Sequence, residues 1–224
     1  MMSQQWEGLI QKLIRGGILR SPNVIRALRQ VPREPFLPGN VKSSAASDCP
    51  LPIGSGQTAS APHMVSIMDE ALELEVGHKV LEVGAGSGWH AATIAEIVAP
   101  SETSKKEWGH VYTIERIAEL AAFAKQNITQ TGYEDRVTVI HQDGTLGYPE
   151  EAPYDRILVA AAGPEVPKPL VEQLKNGGIL LIPVGGAQFY QKLVRVRKKD
   201  GKTGEENLGG VAFVPLIGKH GFEP

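Results

Sequence analysis

The chain has 224 residues, 42% of them hydrophobic and 21% charged, with a formal net charge of −2. That balance supports a buried core and supplies no basic field for nucleic acid. A single cysteine, Cys49, excludes an internal disulfide. No apolar run nears the ~20 residues of a membrane span, and the start MMSQQWEGLIQ lacks a leader's apolar core, so a soluble cytoplasmic protein is expected.

Gln4–Arg15 puts Trp6, Leu9, Ile10, Leu13 and Ile14 on one helical face and ends at Gly16-Gly17. Ser21 is placed to cap a second helix, with Pro22 in its first turn and Val24, Ile25 and Leu28 on one side. Both helices are expected against an edge or face of a sheet. Residues 32–56 are rich in proline and glycine and show no period, which predicts a long irregular loop of the kind that carries function. Cys49 lies there with no Cys or His partner at ligand spacing. It reads as a buried or half-buried thiol, and no metal is expected. Met64–Leu74 has helical spacing with Pro62 near its start, so Ser60 stands where a helix cap is common.

Lys79–Val83 is a short apolar run that predicts a buried strand, and Trp89–Val98 predicts a helix. Between them lies Gly84-Ala85-Gly86-Ser87-Gly88. A strand, a glycine turn and a helix form the first half of a nucleotide-binding α/β unit. The dinucleotide fingerprint needs G-x-G-x-x-G, but the spacing here is G-x-G-x-G and Trp89 takes the place of the third glycine. A large indole there argues against a nicotinamide-dependent oxidoreductase. The plain alternative is a glycine turn that binds nothing.

Ser101–Gly109 reads as a charged surface loop and His110–Glu115 as a second strand. Glu115 ends that strand, and its two carboxylate oxygens can accept hydrogen bonds from a ligand. It could equally be a solvated acid heading the next helix. Arg116–Thr131 predicts that helix, closed by Gly132, and Arg136–His141 a third strand, followed by Gln142-Asp143-Gly144, in which Asp143 suits a turn. Tyr154–Ala160 is a fourth strand, Val166–Leu174 a short helix and Gly177–Val184 a fifth strand. Phe189–Arg197 and Leu208–Pro215 are expected to pair antiparallel around the turn DGKTGEEN, with the basic run Arg195–Lys202 as a solvated guard on a sheet edge.

These motifs carry a resemblance. LEVGAGSG resembles motif I of the class I S-adenosylmethionine (SAM) methyltransferases. LPIGSGQTASAPHM is similar to the signature P-I-G-x-G-Q-T-[IA]-S-x-P of the protein-L-isoaspartate O-methyltransferases. Gln142-Asp143-Gly144 resembles that family's G-D-G, with Gln142 a departure that could narrow an adenine slot. QLKNGGILLIPVG and FVPLIGKHGF resemble its later segments. The likeness spans about residues 5–220. No N/D-P-P-Y/F motif follows the fourth strand, which argues against methylation of nucleic-acid amino groups.

The resemblance implies an α/β fold with a doubly wound, Rossmann-like, mostly parallel seven-stranded sheet. Helices would cover both faces, with N-terminal helices and an antiparallel C-terminal strand pair. A single domain over residues 1–224 is expected, with an N-terminal extension to about residue 60. The implied activity is methyl transfer from SAM to the free α-carboxylate of L-isoaspartyl residues in damaged proteins, which starts their repair through a succinimide. Ser60 matches the active-site serine. The implied cofactor residues are Thr58, Ala59, Ser60, His63, Glu82, Gly84, Ala85, Gly86, Ser87, Gly88, Glu115, Arg116, Asp143 and Gly144. His63 is given an orienting part, because a carboxylate acceptor is already ionised near pH 7 and needs no base. The expected partners are isoaspartyl proteins and peptides, with no nucleic acid or membrane, acted on by a monomer. A SAM methyltransferase for another carboxylate or for RNA, and a non-catalytic SAM-binding protein, are the alternatives.

Overall fold

The computed structural model describes residues 3–187 and 190–223. Two helices lead the chain, α1 (Gln4–Arg15) and α2 (Pro22–Gln30). A hairpin follows, β1 (Leu51–Gly54) and β2 (Gln57–Ala59), and then α3 (Pro62–Leu72). Next come β3 (Lys79–Val83), α4 (Trp89–Val98), β4 (His110–Glu115), α5 (Ala118–Gln130) and β5 (Val137–His141). β6 (Tyr154–Val159), α6 (Lys168–Gln173), β7 (Leu174–Val184), β8 (Gln191–Lys199) and β9 (Lys202–Val211) complete the order.

The main sheet has seven strands in the order β5-β4-β3-β6-β7-β8-β9. β5 to β7 run parallel, while β8 and β9 are antiparallel additions. The expected α/β class and the antiparallel C-terminal pair are therefore present. From β3 the chain winds outward through β4 and β5, then returns to the other side of β3 with β6. That reversal opens a crevice at the carboxyl ends of β3, β4 and β6, where ligands of doubly wound sheets bind. Val80, Leu81 and Val83 of β3 are buried because helices cover both faces. α4 is buried along its whole length, which its small apolar sequence permits.

The N-terminal helices depart from expectation. Among the described residues they pack mainly on helices and not on the sheet: α1 meets α2, and α2 meets α4 and α3. Two indoles make this joint. The Trp6 and Trp89 rings meet edge to face at 5.8 Å. Trp6 Nε1 donates to Leu28 O at 2.8 Å, and Trp89 Nε1 donates to Val31 O at 3.0 Å. Ser21 makes no side-chain cap, since its hydroxyl donates to Glu70 at 2.6 Å. Glu96, buried on α4, receives Arg26 at 2.7 Å and Arg136 at 3.1 Å and so ties α2 to the strand beyond α5.

Other boundaries also moved. The loop over 32–56 contains two 3₁₀ turns, Glu34–Phe36 and Gly39–Ser44, and the hairpin strand β1. Cys49 is exposed, contrary to the expected buried thiol. The final hairpin turns at Asp200-Gly201, both with positive φ, so β9 starts at Lys202 and absorbs most of the segment read as a turn. β8 is thus an inner strand, and its arginines meet Glu73 and Glu206 instead of guarding an edge. Phe189, the expected start of β8, lies outside the described residues. The expected strand Leu208–Pro215 holds only to Val211, where β9 ends; residues 212–217 cross the carboxyl end of the sheet, where Pro215 bridges Ala162.

Candidate active site

The crevice is a cleft of about 1090 Å³, counting its open mouth. The loop after β3 supplies Gly84, Ala85, Gly86 and Ser87, and β3 itself supplies Glu82. β4 supplies Glu115, with Arg116 and Ile117 beyond it. Gly144 follows β5, Ala160 follows β6, and the hairpin end supplies Thr58, Ala59 and Ser60. Eleven of the expected cofactor positions therefore line one wall system. His63, Gly88 and Asp143 do not.

Each of those three has another place. Gly88 caps α4 at φ 83°, and a Cβ there would stand 3.2 Å from both Ala124 O and Ile128 Cγ1. It lets the glycine loop close on α5. Gly88→Ala is accordingly expected to cost about 1–3 kcal/mol and to lower the melting temperature by several degrees, measured by thermal denaturation. An unchanged melting temperature would refute this packing role. Asp143 accepts from Thr145 N at 2.9 Å and from Lys219 N at 2.8 Å, which anchors the C-terminal segment beneath the cleft. His63 faces a separate open groove, and both its backbone N and its Nδ1 lie 2.9 Å from Asp48 Oδ1.

Glu115 is held at both oxygens. Gly86 N donates to one at 3.0 Å and Ile117 N to the other at 3.0 Å. Each oxygen retains acceptor capacity toward the cleft. The carboxylate thus stiffens the glycine loop, caps the turn into α5 and presents two acceptors side by side. Gly144 brings the chain so close to β3 that a Cβ would lie 2.4 Å from Val83 Cγ1. Gln142 turns away and donates to Gly147 O at 2.7 Å, clear of the cleft.

A buried cluster backs the cleft. His90 Nε2 lies 3.0 Å from Asp69 Oδ1, and its Nδ1 lies 3.8 Å from Glu82 Oε1. Thr113 donates to Glu82 Oε2 at 2.5 Å. Glu82 Oε1 and Asp69 Oδ2 have no hydrogen-bond partner among the described residues. Burial pushes Glu82 up to about 7 and raises Asp69 as well. Burial alone would depress His90, but the adjacent Asp69 and Glu82 carboxylates raise it. Glu82 also lines the cleft, so a buried carboxylate with an unused acceptor stands at the cleft wall.

All three groups bind protons more readily in the folded chain than in the unfolded one, so the stability they contribute falls as pH rises. For Glu82 the loss begins above its ordinary value of 4.5 and is complete past about 7. Glu82→Gln should therefore raise the melting temperature of the ligand-free protein above about pH 7 and leave it little changed near pH 4. Melting curves of the two proteins across this range check the claim, and a constant offset would contradict it.

Sequence reading missed His90 and Asp69, which sit on different helices and meet only through the fold. It also missed Val214, Pro215, Leu216 and Ile217, which close the cleft from the C-terminal segment. The one signal for these was the FVPLIGKHGF likeness. Ser60 is not the helix cap; Ala61 is, and α3 has no side-chain cap.

A doubly wound sheet whose β3–α4 glycine loop opens beside an acid at the end of β4 defines a class I methyltransferase fold. Residues 4–221 match the family described as Protein-L-isoaspartate(D-aspartate) O-methyltransferase (PCMT). Relatives named protein-L-isoaspartate O-methyltransferase include one from Hyperthermus butylicus, 54% identical over 96% of this chain and 89% of its own. Another, from Staphylothermus marinus, is 55% identical over 96% and 95%. Among solved structures, a putative protein-L-isoaspartate O-methyltransferase from Plasmodium falciparum in complex with S-adenosyl-L-homocysteine has a TM-score of 0.83 at 28% identity, covering 96% of this chain and 99% of its own. The chain belongs to the protein-L-isoaspartate O-methyltransferase family.

Proposed function

We propose that Ser60 receives the free α-carboxylate of an L-isoaspartyl residue where two recesses of the surface meet. The carrying observation is a shared wall: Thr58, Ser60, Ala160 and Val214 line both the cofactor cleft and the open groove beside it. The groove runs from Pro50 and His63 to Gly210–Val214 at the end of β9, which suits an extended peptide. The family's reaction is methyl transfer from SAM to isoaspartyl carboxylates.

The residues of the cleft fit that cofactor. Glu82 offers an orphaned acceptor to an ammonium group, and Glu115 offers paired acceptors to a ribose diol. Gly84 to Ser87 would lie along the amino-acid end and Gly144 near the base. When bound, SAM supplies an electrophilic methyl group on a sulfonium centre. The part left to this chain is alignment, which can be worth roughly 7–11 kcal/mol. Ser60 suits that part, because its hydroxyl makes no hydrogen bond to a described residue and its carbonyl is held from behind by Arg33 at 2.8 Å. Asp48 fixes His63 at the groove wall, in an orienting position.

The released methyl ester would close to a succinimide in solution and so begin repair. The net charge of −2 supports a protein acceptor over nucleic acid. Exposed large hydrophobic residues are few among those described, which supports a monomer. Among the described residues no helix is long and apolar enough to cross a membrane, and the lone cysteine supports a reducing, cytoplasmic setting. The test is methyl transfer from tritiated SAM to an isoaspartyl peptide and to its aspartyl twin. Base-labile label on the first alone supports the reading; equal label on both rejects it.

A further inference from the structure

Arg33 is fully buried, and among the described residues its partners are all backbone carbonyls. Its Nη1 donates to Ser47 O at 3.3 Å and Cys49 O at 3.2 Å. Its Nη2 donates to Cys49 O at 3.2 Å, Ala59 O at 2.9 Å and Ser60 O at 2.8 Å. The guanidinium carbon sits 5.3 Å from the centroid of the Trp89 ring, which itself walls the cofactor cleft. Nε is buried without a partner among the described residues.

We propose that Arg33 is a positioning residue for methyl transfer: it clamps the Ala59-Ser60 backbone against the cofactor wall and so sets where the acceptor carboxylate is held. This rests on the reading of Ser60 given above. A buried cation with no carboxylate in ion-pair contact among the described residues, Asp48 acting on it only at longer range, is a poor way to fill a core, because an apolar side chain of similar volume would stabilise the fold as well or better. It is an effective way to fix several carbonyls at once. The planar fork presents two Nη groups to two chain segments while its face lies on an indole, and an ammonium cannot reproduce that.

The clamp joins three parts of the site. Segment 47–49 carries Asp48, which holds His63 at the groove. Segment 59–60 carries the acceptor hydroxyl. Trp89 opens the helix that follows the glycine loop. With the carbonyls of 59 and 60 engaged from behind, Ser60 is left to face the cleft and the groove. Burial draws the guanidinium down to about 10, so it stays charged through the neutral range.

The experiment compares wild type, Arg33→Lys, Arg33→Met, Ser60→Ala and the Arg33→Lys/Ser60→Ala pair. All are assayed below their melting temperatures with an isoaspartyl peptide, and S-adenosylhomocysteine binding is measured by calorimetry. Arg33→Lys is expected to lower kcat by roughly 10-fold or more, with S-adenosylhomocysteine affinity within about threefold of wild type. The double variant should be hardly slower than Ser60→Ala alone, because one change acts through the other. Folded variants with kcat within twofold of wild type would overturn the proposal. So would parallel losses of kcat and affinity, fully additive losses in the pair, or failure of both Arg33 variants to fold, each of which assigns Arg33 to the framework. If Ser60→Ala alone leaves turnover unchanged, the reading of Ser60 fails instead, and that result is separate from the others.

Discussion

Glu115→Ala should weaken binding of S-adenosylhomocysteine by about 1–3 kcal/mol, roughly 5- to 150-fold, measured by calorimetry. Two losses combine. The variant removes paired acceptors from the cleft, and it leaves Gly86 N and Ile117 N, both 3.0 Å from that carboxylate, without their acceptor. The glycine loop then loses one of the bonds that fixes it. Glu115→Gln keeps the size but turns one acceptor into a donor facing Gly86 N–H or the ligand. Its loss should lie between wild type and alanine. Undiminished affinity in Glu115→Ala would show that this carboxylate has no part in holding the ligand.

Ser60→Ala should lower kcat toward isoaspartyl peptide by about 10- to 100-fold, while S-adenosylhomocysteine affinity stays within about threefold. The figure follows from one hydrogen bond to a charged group, worth about 1.5–3 kcal/mol. The separation of the two effects follows from geometry, since Ser60 lines both cleft and groove, while Glu115 at the end of β4 lines the cleft alone. A hold on the carboxylate that was too strong would favour the ground state, so a single neutral donor suits the task better than a cation at this position. That gives a reason for Arg33 to lie behind the backbone with its charge on carbonyls. Wild-type turnover in Ser60→Ala would remove Ser60 from the chemistry.

The parallel half of the fold was legible because its signals are local. Lys79–Val83 and Trp89–Val98 have the observed bounds, since a buried central strand is mostly apolar and α4, though it carries His90, Thr93 and Glu96, has helical spacing and is buried on every face. Glu115 and the glycine loop could be placed because both sit at strand ends, where the sequence changes character. The C-terminal half was less legible. The D-G turn at Asp200-Gly201 was hidden in a longer polar run, which delayed the expected start of β9 to Leu208 although it pairs from Lys202. Segment 212–217 is apolar because it covers the cleft, and apolarity there mimics a strand.

The site was legible in its motifs and illegible in its supports. Arg33 follows a proline in a stretch with no period, and nothing in its neighbours shows that it reaches residues 47–49 and 59–60. His90 meets Asp69 across 21 positions of chain, and such a pair has no local pattern. His63 adjoins the signature loop but not the cofactor cleft. α3 starts at Pro62, and that start turns the imidazole to Asp48 and the groove. Ser60 misses the cap position by one residue for the same reason.

The most direct test of the account is a crystal structure with S-adenosylhomocysteine bound. The account predicts the ribose hydroxyls on Glu115, the amino-acid end along Gly84–Ser87 near Glu82, and the sulfur turned toward Ser60 at the mouth of the groove. A sulfur turned away from Ser60, or a ribose remote from Glu115, would contradict it.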